Sequence, residues 1–517
     1  MAINAFLLVS VLVMAIVMLV LAVFLVIYFG HPDDRTEAKF PKVIVVFGIW
    51  LAFASVLILP YDVASSKSTS NDSGGIRVDV LWQIAYICMA CMVVFIIPFA
   101  FYYYEAAEDE EGGSQIVVAC KSTIMFIIVF IIFLICFFVY LAVAEIPVIR
   151  VAVPGAAAGA VIPVNASFSN TGGCSVKRFV NGATRTYINC VLTRFIWDIP
   201  VTFPIYVMAF ISFIGWFFFA LFVGVGMVAL PMDFINEYKT RPEKMEIGQY
   251  IQTKKELGRR AAALLEVGIA LQNEARTISG ASRSEKRRHQ GALKSFEQNY
   301  YFLKRDVEVL KISYELKGGN PIWYIIKLII GTVGGIISLT WILHILIFML
   351  PANPPSPFLN DFFVATTENV GGFPLFGVVF FAIWSTYLLW CCVKGNFKLG
   401  VRLLFIKVYP MELGNTLMNA FLVNTWIILV CAIPTVQFCT QAFPIYTRFT
   451  QVDLLFGTQI KYLRFFKYFF ANDVFIFGML ILFFISVIWL TVRPKDTAAQ
   501  IEAKINKVAG GAFGDNA

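Results

Sequence analysis

Residues 5–29 read AFLLVSVLVMAIVMLVLAVFLVIYF, without a single charged side chain. An α-helix rises 1.5 Å per residue and needs about 20 apolar residues to cross a hydrocarbon layer about 30 Å thick, so this run decides the class of fold. It is too long for the apolar core of a signal peptide and has no basic segment before it, which makes it a permanent span.

Outward from that run, eight more stretches reach or approach spanning length: 43–60, 81–104, 117–143, 204–230, 322–350, 374–393, 415–437 and 474–492. Composition agrees. The 517 residues are 59% hydrophobic and 14% charged, and 51 of them are Phe, whereas soluble domains are about one quarter charged. The expected fold is all-α: a polytopic transmembrane bundle of about nine spans with the lipid bilayer as its first partner. The net charge of +8 would suit nucleic acid, but the cations sit beside apolar runs and no basic-aromatic module accompanies them, so no nucleic-acid partner is expected.

Orientation follows from Lys and Arg. The first span has no cation before it and Arg35, Lys39 and Lys42 after it, which favours an outside N-terminus and, with nine spans, a cytoplasmic C-terminus. The organisation is then residues 1–230 for spans one to five, with an outside loop at 146–203; 231–321 for a cytoplasmic hairpin; 322–492 for spans six to nine; and 493–517 for a cytoplasmic tail. Two acceptor sequons, at Asn71 and Asn165, fall in loops so assigned to the outside, as do Cys174 and Cys190, an even pair able to close a disulfide in an oxidising compartment. The other eight cysteines lie in or beside apolar runs, where thiols pack as small hydrophobes.

Between spans five and six, Leu293, Phe296, Tyr300, Leu303, Val307, Leu310 and Tyr314 recur at steps of three and four, the seam of a coiled coil. A weaker seam at Leu257, Ala261, Leu264, Gly268, Leu271, Ala275 and Ile278 precedes it, and Ser279 to Ser282 supply a turn. Two helices folded back on each other would bury both seams. The cation cluster Arg283, Lys286, Arg287 and Arg288 reads as a solvated face or, functionally, as a contact for a membrane-protein partner or anionic lipid.

Ionisable groups at bilayer depth are functional candidates by default. His344 lies well inside span six, while Glu145, Lys327, Lys394 and Glu412 stand near span ends. The eighth span is more polar than its neighbours: Asn415, Asn419 and Asn424 make it face either protein or a hydrated ligand path. Gly224 and Gly226, and Gly331, Gly334 and Gly335, offer smooth surfaces for close helix approach. No phosphate-cradling glycine loop, metal-spaced Cys/His set or nucleophile elbow occurs in the loops, and three histidines are scattered along the chain. No cofactor and no catalytic activity are expected.

A resemblance stands beside this reading. HPDD at 31–34, FPKVIVVFG at 40–48, LPYDVA at 59–64, IPFAFYYYE at 97–105, GVGMVALP at 224–231, PPSPFLN at 354–360 and PMELGNTLMNAFLVN at 410–424 resemble the LIMR family, which includes the limb-region protein, the lipocalin-interacting membrane receptor and the lysosomal cobalamin-export protein; the plant and protist members are the most similar. The resemblance implies nine helices, an outside N-terminus, a large cytoplasmic loop between spans five and six, and receptor, transport or trafficking roles. Residence in the plasma membrane or an endomembrane is expected. The expected function is a receptor or transport-related protein for a small lipophilic or cofactor-like ligand, with a scaffold or chaperone acting through the hairpin as the alternative.

Overall fold

The structure is a computed structural model. It describes residues 2–30, 39–66, 78–108, 115–141, 143–152, 167–168, 174–180, 183–187, 191–242, 244–277, 283–315, 320–351, 354–368, 375–399, 401–403, 406–408, 416–448 and 450–492. Among these, nine helices are long and apolar enough to cross a bilayer.

The spanning helices are α1 (Ala2–Phe29), α2 (Lys39–Ser66), α3 (Val78–Cys91, continued through a π-helical turn Met92–Ile96 into Ile97–Glu108), α4 (Gln115–Leu141), α5 (Phe203–Lys239), α8 (Pro321–His344, continued by a π turn Ile345–Met349), α10 (Leu375–Leu399), α11 (Met418–Ala442) and α13 (Val474–Val492). Between α5 and α8 come α6 (Ile247–Thr277) and α7 (Arg283–Tyr314); α9 (Phe358–Glu368) precedes α10, and α12 (Lys467–Phe470) precedes α13.

The fold is the all-α bundle expected, with short strands in its connections. Residues 143–200 contain strands β1 (Val143–Ala152), β2 (Ser167–Phe168), β3 (Cys174–Val180), β4 (Ala183–Tyr187) and β5 (Val191–Pro200), with β1 antiparallel to β5 from Val143↔Pro200 to Ala152↔Val191. Two three-residue strands, β6 (Val401–Leu403) and β7 (Ile406–Val408), also pair. VLTRFIWDIP places β-branched or aromatic residues at every second position from Val191 to Ile199, a period-two pattern that suits a strand, and VAEIPVIRVA is rich in β-branched residues. Span boundaries move too: α2 runs past Pro60, and α5 continues to Lys239.

The chain forms two compact units, Met1–Met227 with Ile337–Phe484, and Val228–Ile336 with Ile485–Ala517. In the first, α11 is the axis: 89% of its apolar window is buried, against 11% for α4 and 17% for α1. A helix surrounded by other helices meets protein on all sides and carries polar groups at lower cost than one facing lipid, so the most polar span is the central one. The glycines of α5 serve close approach. A Cβ on Gly226 would run into the Cys391 carbonyl of α10, one on Gly395 into the Phe222 carbonyl of α5, and one on Gly224 would lie 2.8 Å from the Met479 carbonyl of α13.

Connections sort to two ends of this unit. At one end, Glu145 N–H donates to Tyr462 O (2.8 Å) and Arg464 N–H to Val143 O (2.8 Å), while Asp62 at the end of α2 meets Gln451 and Val452. The links after spans two, four and eight therefore share an end. At the other, Gly30 after span one pairs with Thr416 before span eight. That is the alternation nine crossings require. In the second unit, α6 and α7 fold against each other and Lys327 of α8 pairs with Glu237 of α5 at 2.6 Å.

Candidate functional site

Of the polar residues singled out from the sequence, His344 is the deepest, with no exposed surface. Its Nε2–H donates to the Ala442 carbonyl at 2.8 Å, to which Asn360 of α9 also donates, at 3.4 Å. Ala442 ends α11, where the last carbonyls have no partner within the helix, so His344 and Asn360 cap the central helix from two other elements. The imidazole lies between two phenyl rings, Phe348 and Phe443, with centroids at 5.1 and 5.0 Å. With Nε2 donating, Nδ1 of the neutral ring is an acceptor; it and Asn360 Oδ1 are buried without a hydrogen-bond partner.

The asparagines separate. Asn424 Oδ1 accepts from Asn396 Nδ2 of α10 at 2.9 Å, while Asn424 Nδ2 donates to Ala420 O at 2.7 Å. This is hydrogen bonding between helices. Asn419, half-buried, turns its Oδ1 to the Ala420 N–H at 2.7 Å, and Asn415 lies outside the described residues. Beside Asn424 is a void of about 10 Å³ lined by apolar groups such as Leu25, Phe53, Val393 and Phe421, room for about one water molecule.

Two buried polar nodes escaped the sequence reading. Gln437, five residues before the end of α11, accepts at Oε1 from Ser212 Oγ (2.6 Å) and Trp216 Nε1 (2.9 Å) of α5. Asp62, only 2% exposed, accepts from Trp82 Nε1 at 3.0 Å, Val452 N–H at 3.1 Å and Gln451 N–H at 3.4 Å, fastening α2 to α3 and to the π-helical turn Asp453–Ile460. As the lone charge in the otherwise apolar run 43–66, Asp62 carried a legible signal.

Glu145 is the electrostatic anchor of the same end. Its carboxylate accepts from Lys467 Nζ and, at 2.7 Å, from Arg464 Nε, and these bonds hold it below the usual glutamate range. Burial pushes Asp453 and Asp473 up, against the nearby cations Arg448 and Lys461 for the first and Lys461 for the second.

The hairpin is built differently from the single seam expected. Leu257, Leu264 and Leu271 of α6 and Leu310 of α7 are buried, Gly268 leaves room for the Phe296 ring, which would stand 3.0 Å from a Cβ there, and Tyr250 stacks on Tyr314 at 4.1 Å. Leu293, Tyr300 and Val307, however, are 41%, 56% and 48% exposed. Half of the expected seam is uncovered. Residues seven apart make a straight row on a helix; the row 296, 303, 310 turns toward α6, and the row 293, 300, 307 lies about 60° round the helix, beyond what α6 covers. Ala261 is exposed as well.

Arg283, Lys286, Arg287 and Arg288 lie in the first turns of α7, with side chains outside the described residues. Asn71, Asn165, Cys190 and the side chain of Cys174 lie outside them too. The eight other cysteines are free thiols.

Spanning helices packed round a polar axis, with a helical hairpin inserted between spans five and six, define an integral multi-pass membrane protein whose surroundings include the bilayer. The profile of the LMBR1-like membrane proteins matches residues 6–298 and 294–491. A LIMR family protein of Dictyostelium discoideum is 36% identical over 96% of this chain and 99% of its own. One from Arabidopsis thaliana is 32% identical over 96% and 99%, and one from rice 31% over 95% and 96%. The chain belongs to this family. No solved structure matches it.

Proposed function

We propose that this protein is a membrane-embedded docking protein, a scaffold or escort for another membrane protein, whose bundle is the anchor and whose hairpin is the contact. The observation that carries the reading is the apolar row Leu293, Tyr300 and Val307 on α7, exposed on a segment outside the spanning helices. In lipid such exposure is ordinary; in water a heptad-spaced apolar row is what a helix-in-groove or helix-on-helix contact uses. The bundle supplies supporting evidence, because Asn424, Asn396 and Gln437, which would line a ligand path, bond helix to helix. Docking needs no catalytic step, and we assign none. A plasma-membrane or endomembrane address with the hairpin in the cytoplasm fits the charge pattern.

The test is chemical cross-linking in native membranes, with the cross-linked partner identified by mass spectrometry from wild type, Tyr300→Asp/Val307→Asp and the control Ala262→Asp. Loss of the partner from the double variant alone supports the reading; equal recovery from all three rejects it.

A second reading, a receptor or transport-related protein for a small lipophilic or cofactor-like ligand, is favoured by one observation: His344 Nδ1 and Asn360 Oδ1 are buried acceptors without donors, on residues that cap the same carbonyl. A hydroxyl- or amine-bearing ligand is the matching chemistry. Saturable ligand binding abolished by His344→Phe, with the protein still monodisperse, supports it; the same binding in the variant removes His344 from the site.

A further inference from the structure

The sheet at the end shared by the links after spans two, four and eight has two unlike faces. Residues directly opposite on antiparallel strands share a face. One face of the β1–β5 ribbon therefore carries Ala144 with Ile199, Ile146 with Trp197 and Val148 with Phe195, and the other carries Glu145 with Asp198 and Pro147 with Ile196. The edge of β1 away from β5 is extended by residues 462–464, with Ala144 opposite Leu463. Leu463 thus joins the first, apolar face. Arg464, which donates to the Glu145 carboxylate, joins the second.

Burial tells which way each face looks. Leu463 and Ala144 have no exposed surface, so the bundle lies beneath the apolar face, while Asp198 is exposed on the other. Along the strands from Ala144 that cover ends: Ile146 and Val148 are half-buried, and Trp197 and Phe195 are exposed. The ribbon overhangs the bundle. Because the bundle is embedded in lipid, the overhanging part of the face that looks onto the bundle looks onto the bilayer beside it.

Height agrees. Val143 follows the end of α4 at Leu141 by two residues, and Pro200 precedes the start of α5 at Phe203 by three. Trp197 is about 10 Å along β5 from Pro200. A ribbon lying along the surface keeps it within a headgroup layer about 5 to 8 Å deep, whereas one standing upright lifts it clear. Tyr468 of α12 is exposed at the same end, and Trp and Tyr collect at this boundary because each has an apolar body and a polar tip. A two-stranded ribbon alone in water is marginal; lipid supplies its missing layer.

We propose that the face formed by Ile146, Val148, Phe195 and Trp197 is a lipid-contact site, resting in the headgroup layer of the leaflet at this end, with Glu145, Asp198 and Arg464 turned to water. The contact goes beyond the docking function of the hairpin and does not depend on it.

The experiment uses the full chain in phosphatidylcholine nanodiscs, with a photo-reactive benzophenone residue replacing Phe195, Ile196 or Trp197 in turn and the adducts read by mass spectrometry. Ile196 is exposed on the opposite face of the same strand, so general loosening of the ribbon moves all three positions together. The expected result is lipid adducts several-fold more abundant from positions 195 and 197 than from 196. Equal yields or the reverse order overturn the contact, and adducts to protein in place of lipid at 195 and 197 overturn it in favour of protein cover. A second measurement needs no label. The fluorescence lost in Trp197→Phe is expected to be the part quenched by brominated phosphatidylcholine and spared by iodide; loss of an iodide-quenched part overturns the proposal.

Discussion

Ile128 on α4 and Val307 on α7 are exposed to nearly the same degree, 51% and 48%, yet they mean opposite things. Around Ile128 the exposed neighbours are Ile124, Met125, Val129, Ile131 and Ile132, an all-round apolar surface for which lipid is the solvent. Around Val307 stand Lys304, Arg305, Glu308 and Lys311, exposed and charged, so the helix surface is made for water and the apolar row within it is the exception. An exposed hydrophobic residue is informative only once its solvent is known.

The comparison is sharpened by charging both positions. Ile128→Asp places a carboxylate against hydrocarbon, at a cost of about 3 kcal/mol in insertion, and is expected to cut the yield of inserted protein several-fold; Val307→Asp shifts thermal stability by no more than about 0.5 kcal/mol. Equal losses would mean that α7 is not in water. Gly226→Val has a comparable or larger effect, because the added methyls meet the Cys391 backbone and overpacking there costs about 3 kcal/mol; loss of the monodisperse peak on size exclusion is the check. Gln437→Leu leaves Ser212 and Trp216 without their acceptor and lowers thermal stability by about 1 to 2 kcal/mol. The smallest effect is pH-dependent. Because Lys467 and Arg464 hold Glu145 low, its contribution is present above the unfolded glutamate value of about 4.3 and fades as pH falls through the lower folded value. Glu145→Gln flattens the stability-against-pH curve in that acid window and leaves it unchanged near neutrality.

What the sequence made legible followed from solvent. Runs of about 20 apolar residues state the spans because the bilayer sets their length, and the amides of 415–437 pointed to a face turned to protein or a hydrated path, because lipid would reject them, but not to the central place of that helix. The strands at 143–200, rich in β-branched residues, were overlooked beside those louder signals, and α9 was too short to register. Asp62 was hidden inside the LPYDVA stretch, although a lone carboxylate in an apolar run is itself a sign. In the hairpin, the three-and-four spacing gave two adjoining rows of α7, but periodicity carries no information about how wide a face the neighbouring helix covers. That needed the packing of Leu257, Leu264 and Leu271, and it turned an expected self-contained seam into a half-open one.

The most direct measurement is partner recovery by cross-linking mass spectrometry in membranes carrying either the wild-type protein or the Tyr300→Asp/Val307→Asp variant of α7. The account predicts that a defined membrane-protein partner is recovered with the row intact and lost when the row is charged, while insertion and thermal stability stay within about 0.5 kcal/mol of each other. Undiminished recovery with the row charged would contradict it.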